Sequence, residues 1–168
     1  MGGMGIPDSS FRSLKPDFTK KLITKLNNKY NVFIVKAGNQ EGIEHINTFN
    51  NPVREIIALI PYVKAIVSVD SFMQHGSAAM NKSCFTYWSS TRESNLGYDM
   101  HKNHRNNQDF VWSPVRIFMN DPSLYSKNKH VNEFTDEDME ACISWVNIQI
   151  QPVKPNTATK QSSCSSCK

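Results

Sequence analysis

The sequence has no long apolar run. Its most apolar stretch, Ile56 to Val69, is broken by Pro61 and Lys64 and is too short to span a bilayer. The opening residues, Met1 to Pro7, lack both the basic start and the apolar segment that direct secretion. Both absences predict a soluble, cytoplasmic protein with no membrane span. Cysteine is scarce, four in 168 residues. Cys84 and Cys142 sit inside apolar patterns and read as buried thiols. Cys164 and Cys167 form a CxxC near the C-terminus without a second Cys/His pair, which argues against a metal or redox centre there and against a disulfide framework. An excess of one charge is missing too. Nineteen basic against fifteen acidic residues leaves +4, and the densest basic group, His101 to Arg105, is short and lies in an Asn-rich stretch. A nucleic-acid partner is therefore not expected. No internal repeat is visible.

What is present is an apolar share of 39%, enough for one real core. Helix-like and strand-like segments alternate. Pro16 sits at a favoured first helical position, and Phe18, Leu22, Ile23 and Leu26 repeat at helical spacing, predicting a helix over 16–29. Val32-Phe33-Ile34-Val35, closed by Ala37-Gly38, reads as a buried strand near 32–36. A short helix over 41–46 and a short strand over 46–49 follow. Asn51-Pro52 then marks a helix start, cap followed by proline, for a helix over 52–60. Ala65 to Val69 and Ser83 to Tyr87 read as two more buried strands, with a small-residue helix over 72–81 between them. Residues 88–133 are mostly polar and irregular, with apolar pieces at 110–112 and 115–119. Thr135-Asp136-Glu137-Asp138 is a capping box opening a last helix over 136–148.

Strand, helix, strand, helix, strand at this spacing predicts parallel βαβ units: an α/β, Rossmann-like domain over residues 1–151, the three strands adjacent in one sheet and helices on both faces. From Pro152 onward Pro, Thr, Ser and Lys dominate, which predicts a disordered tail over 152–168.

The chemistry concentrates at the Asp70–His75 turn. A buried strand ends in Asp70-Ser71, and a helix begins at once. Open α/β sheets gather ligands at the carboxyl ends of their strands, and a helix N-terminus there offers N–H groups and a partial positive charge that suit a phosphate. Ser71 either caps the helix or bonds a phosphate oxygen. Gly76-Ser77-Ala78-Ala79 would let the helix lie close to the sheet. Elsewhere, Asp99, His101 and His104 have spacing compatible with a metal, but a mixed polar loop accounts for them and no metal is expected. Tyr87, Trp88 and Trp112 either stack on a base or sugar or pack in the core.

The segment Val67 to Ala79 resembles the signature of family 9 glycosyltransferases, the heptosyltransferase-like enzymes: hydrophobic strand, Asp, Ser or Thr, Gly, two variable residues, His, then a small-residue helix. Asp70, Ser71, His75 and the small stretch match; Phe72 stands where the family usually has Gly. Val32–Gly38 followed by Gln40-Glu41 resembles the family's strand ending in Gly-Gly with a following Glu. Asn51 to Ile60 resembles its helix before the motif strand, and Ser90 to Tyr98 the loop after the next one. The likeness covers roughly residues 14–100. It implies the C-terminal, donor-gripping half of a GT-B fold, with a nucleotide-diphosphate sugar as substrate and no other cofactor. It further implies donor contacts from Gly38, Glu41, Asp70, Ser71, Phe72, Met73, Gln74 and His75, with Glu41 near the nucleotide ribose and weaker phosphate contacts from Ser9, Ser10 and Arg12. The family's acceptor domain and acidic general base have no counterpart before Pro16. Either a separate chain supplies them, the sequence is a fragment, or the domain only binds; no catalytic residue is assigned. The competing reading is a non-catalytic binding or structural protein that reuses the fold.

Overall fold

The computed structural model describes residues 12–36, 45–48, 50–106 and 130–151. Its first helix, α1, runs Pro16–Asn27 and turns its buried stripe, Phe18, Leu22 and Leu26, inward at four-residue spacing. Two two-residue strands follow, β1 (Val35–Lys36) and β2 (Ile46–Asn47), paired parallel with Val35 opposite Ile46. The expected strand over 32–36 is thus cut to its last two residues. It joins β2, not the main sheet, among the described residues. The side chains show why. Val32 packs against the core while Phe33 is 74% exposed, so the run is a half-covered edge segment rather than a central strand.

Helix α2 (Val53–Ala58) starts one residue later than expected. Pro52, not Asn51, is its N-cap, and the Asn51 amide instead donates to the Asn47 carbonyl (2.8 Å). Pro61 then tightens the chain into a 3-10 turn over Ile60–Tyr62. Lys82 clamps that turn by donating to the carbonyls of Ile60, Pro61 and Val63.

The main sheet is built from β3 (Val67–Val69), β4 (Phe85–Trp88) and β5 (Lys102–Arg105), in that spatial order and all parallel. Helix α3 (Phe72–Ala79) connects the first pair and the short α4 (Glu93–Leu96) the second. The α/β class and the parallel β3–β4 pair agree with the sequence pattern; α4 and β5 fall in the 88–133 stretch, where the sequence predicts irregular structure. The last helix, α5 (Asp136–Ile150), begins at the expected capping box. Thr135 N–H donates to Asp138 Oδ2 (2.7 Å) and Asp138 N–H to Thr135 Oγ1 (3.3 Å).

Alternation along the strands sorts side chains to two faces. Phe85 and Tyr87 join Phe18, Leu22 and Leu26 of α1 and Met139, Cys142, Ile143 and Val146 of α5. Ile66 and Cys84 point the other way, into a cluster with Ile60, Ile57, Val63 and Met73 of α3. Helices therefore cover both faces of the three-stranded sheet. Cys84 and Cys142 are free buried thiols, and burial pushes each up to about 12. Lys21–Asp136 and Lys25–Glu140 ion pairs tie α1 to α5, and a Tyr30–Asn147 hydrogen bond ties the residues just after α1 to the same helix. No described helix is long and apolar enough to cross a membrane.

Gly76 serves a close approach, but of helix to helix rather than helix to sheet. A Cβ there would meet Ile57 Cγ1 at 3.0 Å and Ile60 Cδ1 at 3.2 Å. Both are tips of movable side chains, so Gly76→Ala should be near neutral, its strain offset by about 1 kcal/mol of helix propensity. Gly76→Leu should overpack the contact and cost about 1–3 kcal/mol. Thermal melts of the two variants check this: a drop of several degrees for leucine only is expected, and equal drops would refute it.

Candidate functional site at the carboxyl edge of the sheet

Because the three strands run parallel, their carboxyl ends meet along one edge. The chain leaves β3 at Asp70, β4 at Ser89-Ser90 and β5 at Asn106. In such a sheet this edge is where ligands collect.

Asp70 is buried, retaining 7% of its exposure. Its Oδ2 has no hydrogen-bond partner among the described residues and lies 3.8 Å from the Arg12 guanidinium. Ser71 is the N-cap of α3, with extended backbone and its Oγ accepting from the Met73 N–H (3.3 Å). Its proton is spoken for as well. Ser68 donates its single hydroxyl proton to the Val69 carbonyl (2.8 Å), so in the 2.9 Å contact between the two hydroxyls Ser71 is the donor.

The rest of the expected turn divides. Phe72 opens α3 half-buried, and Met73 packs into the Ile60–Ile66–Cys84 cluster. Gln74 is fully buried and donates to the Leu96 carbonyl (3.3 Å). His75 Nδ1 is 3.0 Å from the Tyr98 hydroxyl. Gln74 and His75 thus serve the contact between α3 and the 96–101 segment. Gly38, Glu41, Ser9, Ser10, Trp112, Cys164, Cys167 and the expected tail over 152–168 lie outside the described residues, as do the apolar pieces at 110–112 and 115–119 and most of the expected 41–46 helix.

Tyr87 and Trp88 are core. Tyr87 packs edge-on to Phe18, and Trp88, fully buried, donates its indole N–H to Asn103 Oδ1 (2.9 Å). His101 and His104 part company. His101 Nε2 donates to the Gln74 carbonyl (2.8 Å), while His104 Nε2 meets Asp138 Oδ1 (2.8 Å) on the opposite face. Residues three apart along an extended chain point to opposite sides. Among the described residues no three His, Cys, Asp or Glu side chains gather to hold a metal.

The edge also holds residues that the motif did not indicate. Ser90 retains 4% of its exposure and its Oγ is unpartnered among the described residues. Asn106 retains 5%. Its amide donates to the carbonyls of Val131 (2.9 Å) and Glu133 (2.8 Å), and its Oδ1 has no hydrogen-bond partner among the described residues. A buried polar atom without a hydrogen bond costs about 1–3 kcal/mol; among the described residues Ser90 Oγ and Asn106 Oδ1 are in that position, and Asp70 Oδ2 has the Arg12 guanidinium at 3.8 Å instead. Two more, Gln74 Oε1 and His101 Nδ1, belong to the α3 contact just described. Arg105 shapes the loop beyond β4. It donates to the carbonyls of Ser89 (2.9 Å) and Thr91 (2.6 Å) and twice to Glu93 Oε2 (2.9 and 2.7 Å). A separate cleft of about 510 Å³ opens between β2 and α2, lined by His45, Asn47, Asn51 and Glu55 among others; it includes none of the residues at 70–75.

Comparison with known protein families, with curated proteins and with solved structures finds no match.

Proposed function

We propose that the carboxyl edge of the main sheet binds a nucleoside diphosphate sugar, and that this Rossmann-like domain is the donor half of a glycosyltransferase-like site, akin to the C-terminal half of a GT-B fold. One observation carries the reading: a buried carboxyl oxygen on Asp70, without a hydrogen-bond partner among the described residues, at the end of a parallel strand, beside the Arg12 guanidinium and one residue before the N-cap of α3. The helix start favours phosphate, and the carboxyl oxygen favours a hydroxyl of the same ligand. The resemblance of Asp70, Ser71 and His75 to the family 9 signature supports the same ligand class. Sugar transfer also needs a base at the acceptor hydroxyl and a closed cleft, which the reading assigns to an acceptor domain beyond this donor half, on this chain or another.

The double engagement of the Ser71 hydroxyl favours a second reading, an ordinary capped strand–turn–helix in a non-catalytic protein. Calorimetric titration of ADP, GDP and UDP into wild type and Ser71→Ala separates the two. Donor binding predicts saturation by at least one diphosphate at millimolar concentration or below. With the Ser71 hydroxyl turned from Ser68 to the phosphate on binding, it also predicts about a tenfold loss in the variant, or roughly 1.4 kcal/mol. If wild type binds none of the three, the structural reading replaces the donor site.

A further inference from the structure

The cleft between β2 and α2 is a second place where this fold can take a ligand, and its lining says of what kind. It shares no residue with the Asp70–His75 turn, so the inference stands apart from the donor reading.

At about 510 Å³ the cleft has the size of a small-molecule site. Its apolar part comes from both walls. Ile46 of β2 and the buried Ile56 of α2 line it, and Leu59, the C-cap of α2, stays 46% exposed beside them. One end is a fixed turn. The backbone N–H groups of Asn50 and Asn51 and the Asn51 side-chain amide all donate to the Asn47 carbonyl (3.1, 3.2 and 2.8 Å). A turn held three times over needs little ordering when a ligand arrives.

The charge on the walls is of one sign. No lysine or arginine lines the cleft, and Glu55 is its single carboxylate. Glu55 is exposed, and among the described residues its carboxylate has no ion-pair or hydrogen-bond partner. His45 and Asn47 have partners already. An anionic ligand would therefore meet a negative charge with nothing to offset it. A divalent cation needs six or so oxygen ligands and finds one carboxylate. A polyamine would bring charges without counterparts. One ammonium joined to an apolar body fits. Glu55 and Leu59 stand four residues apart on helical backbone, which puts them on one face with Cβ atoms about 5–6 Å apart. A short link between amine and hydrocarbon spans that distance.

We infer that the cleft between β2 and α2 binds a small organic monoamine, with its ammonium at Glu55 and its hydrocarbon part along Leu59, Ile56 and Ile46. An exposed carboxylate contributes modestly to such a pair. The charge thus selects the ligand while the apolar wall holds it, and millimolar affinity is expected.

The experiment is a chemical-shift titration of the isotope-labelled full chain with phenethylamine, phenethyl alcohol and hydrocinnamic acid. These share one apolar body and differ in charge. Wild type should bind the amine with shifts confined to residues 45–59, about three- to fivefold more tightly than the alcohol, and the acid most weakly. Glu55→Gln should bind amine and alcohol alike, at the level of the wild-type alcohol. Leu59→Ala should weaken both and keep the preference for the amine. Both side chains are exposed, so both variants should fold with unchanged Tm. No shifts at 45–59 at millimolar amine, an acid or alcohol that binds as well as the amine, or a preference for the amine that survives Glu55→Gln overturns the inference. Titration of diphosphates tests the donor reading at a different set of residues, so either reading can fail alone.

Discussion

Phe85→Ala is expected to lower the unfolding free energy by about 3–5 kcal/mol, close to the whole stability of a marginal domain. Phe85 is fully buried on the central strand. Its ring lies 4.9 Å from that of Tyr87, 5.2 Å from His104 and 5.9 Å from Trp145, centroid to centroid. Truncation empties the place where α5 meets the sheet, and close-packed neighbours relax into such a space only in part. Urea unfolding at neutral pH is the measurement. The midpoint should fall sharply with the slope retained. A loss under about 1 kcal/mol would mean that the cluster collapses freely and that the α5 contact is not what holds the sheet.

Arg105→Met should be nearly as damaging, by a different route. It keeps the apolar stem but removes the donors that hold the Ser89 and Thr91 carbonyls and Glu93, at about 2–4 kcal/mol. The effect carries a pH signature. Burial alone would raise the Glu93 carboxyl, but the hydrogen bonds and charge of Arg105 outweigh it and hold the group below its usual range. A depressed acid contributes stability above its unfolded value, about 4.3, and loses it as pH falls through the folded one. The gap in urea midpoint between wild type and Arg105→Met should therefore narrow between pH 7 and pH 3. A gap of constant width would show that the carbonyl bonds alone matter.

The parts of the fold legible in the sequence are those where one local signal suffices. The proline of α1, the capping box of α5 and the β-branched runs of β3 and β4 each specify an element unaided. The 32–36 run misleads because apolar composition does not report how many neighbours a strand has; the exposed Phe33 shows that this one is covered on one side only. β5 was hidden for the opposite reason. Lys102-Asn103-His104-Arg105 contains no apolar residue, and each of the last three is accommodated by a partner far along the chain: Trp88, Asp138 and Glu93. Since β5 was not visible, neither was Asn106. At the candidate site, Asp70 and Ser71 could be read because strand end and helix start adjoin in sequence. Ser90 could have been found by extending β4 to its carboxyl end. Arg105 could not, because its role depends on a loop with which it shares no pattern.

The pairing of α1 with α5 also bears on how the chain folds as it is made. The Lys25–Glu140 contact closes a loop of 115 residues, and loops of that length are costly to close before other contacts reward them. The sheet itself grows in chain order, β3, then β4, then β5. On an emerging chain, then, Phe85 and Tyr87 stay half-covered after every strand is in place, with α1 waiting beside them. The core becomes watertight only when Met139 to Val146 have left the ribosome. Until that moment the nascent protein shows an aromatic face to its surroundings, and this interval is when a chaperone has something to hold.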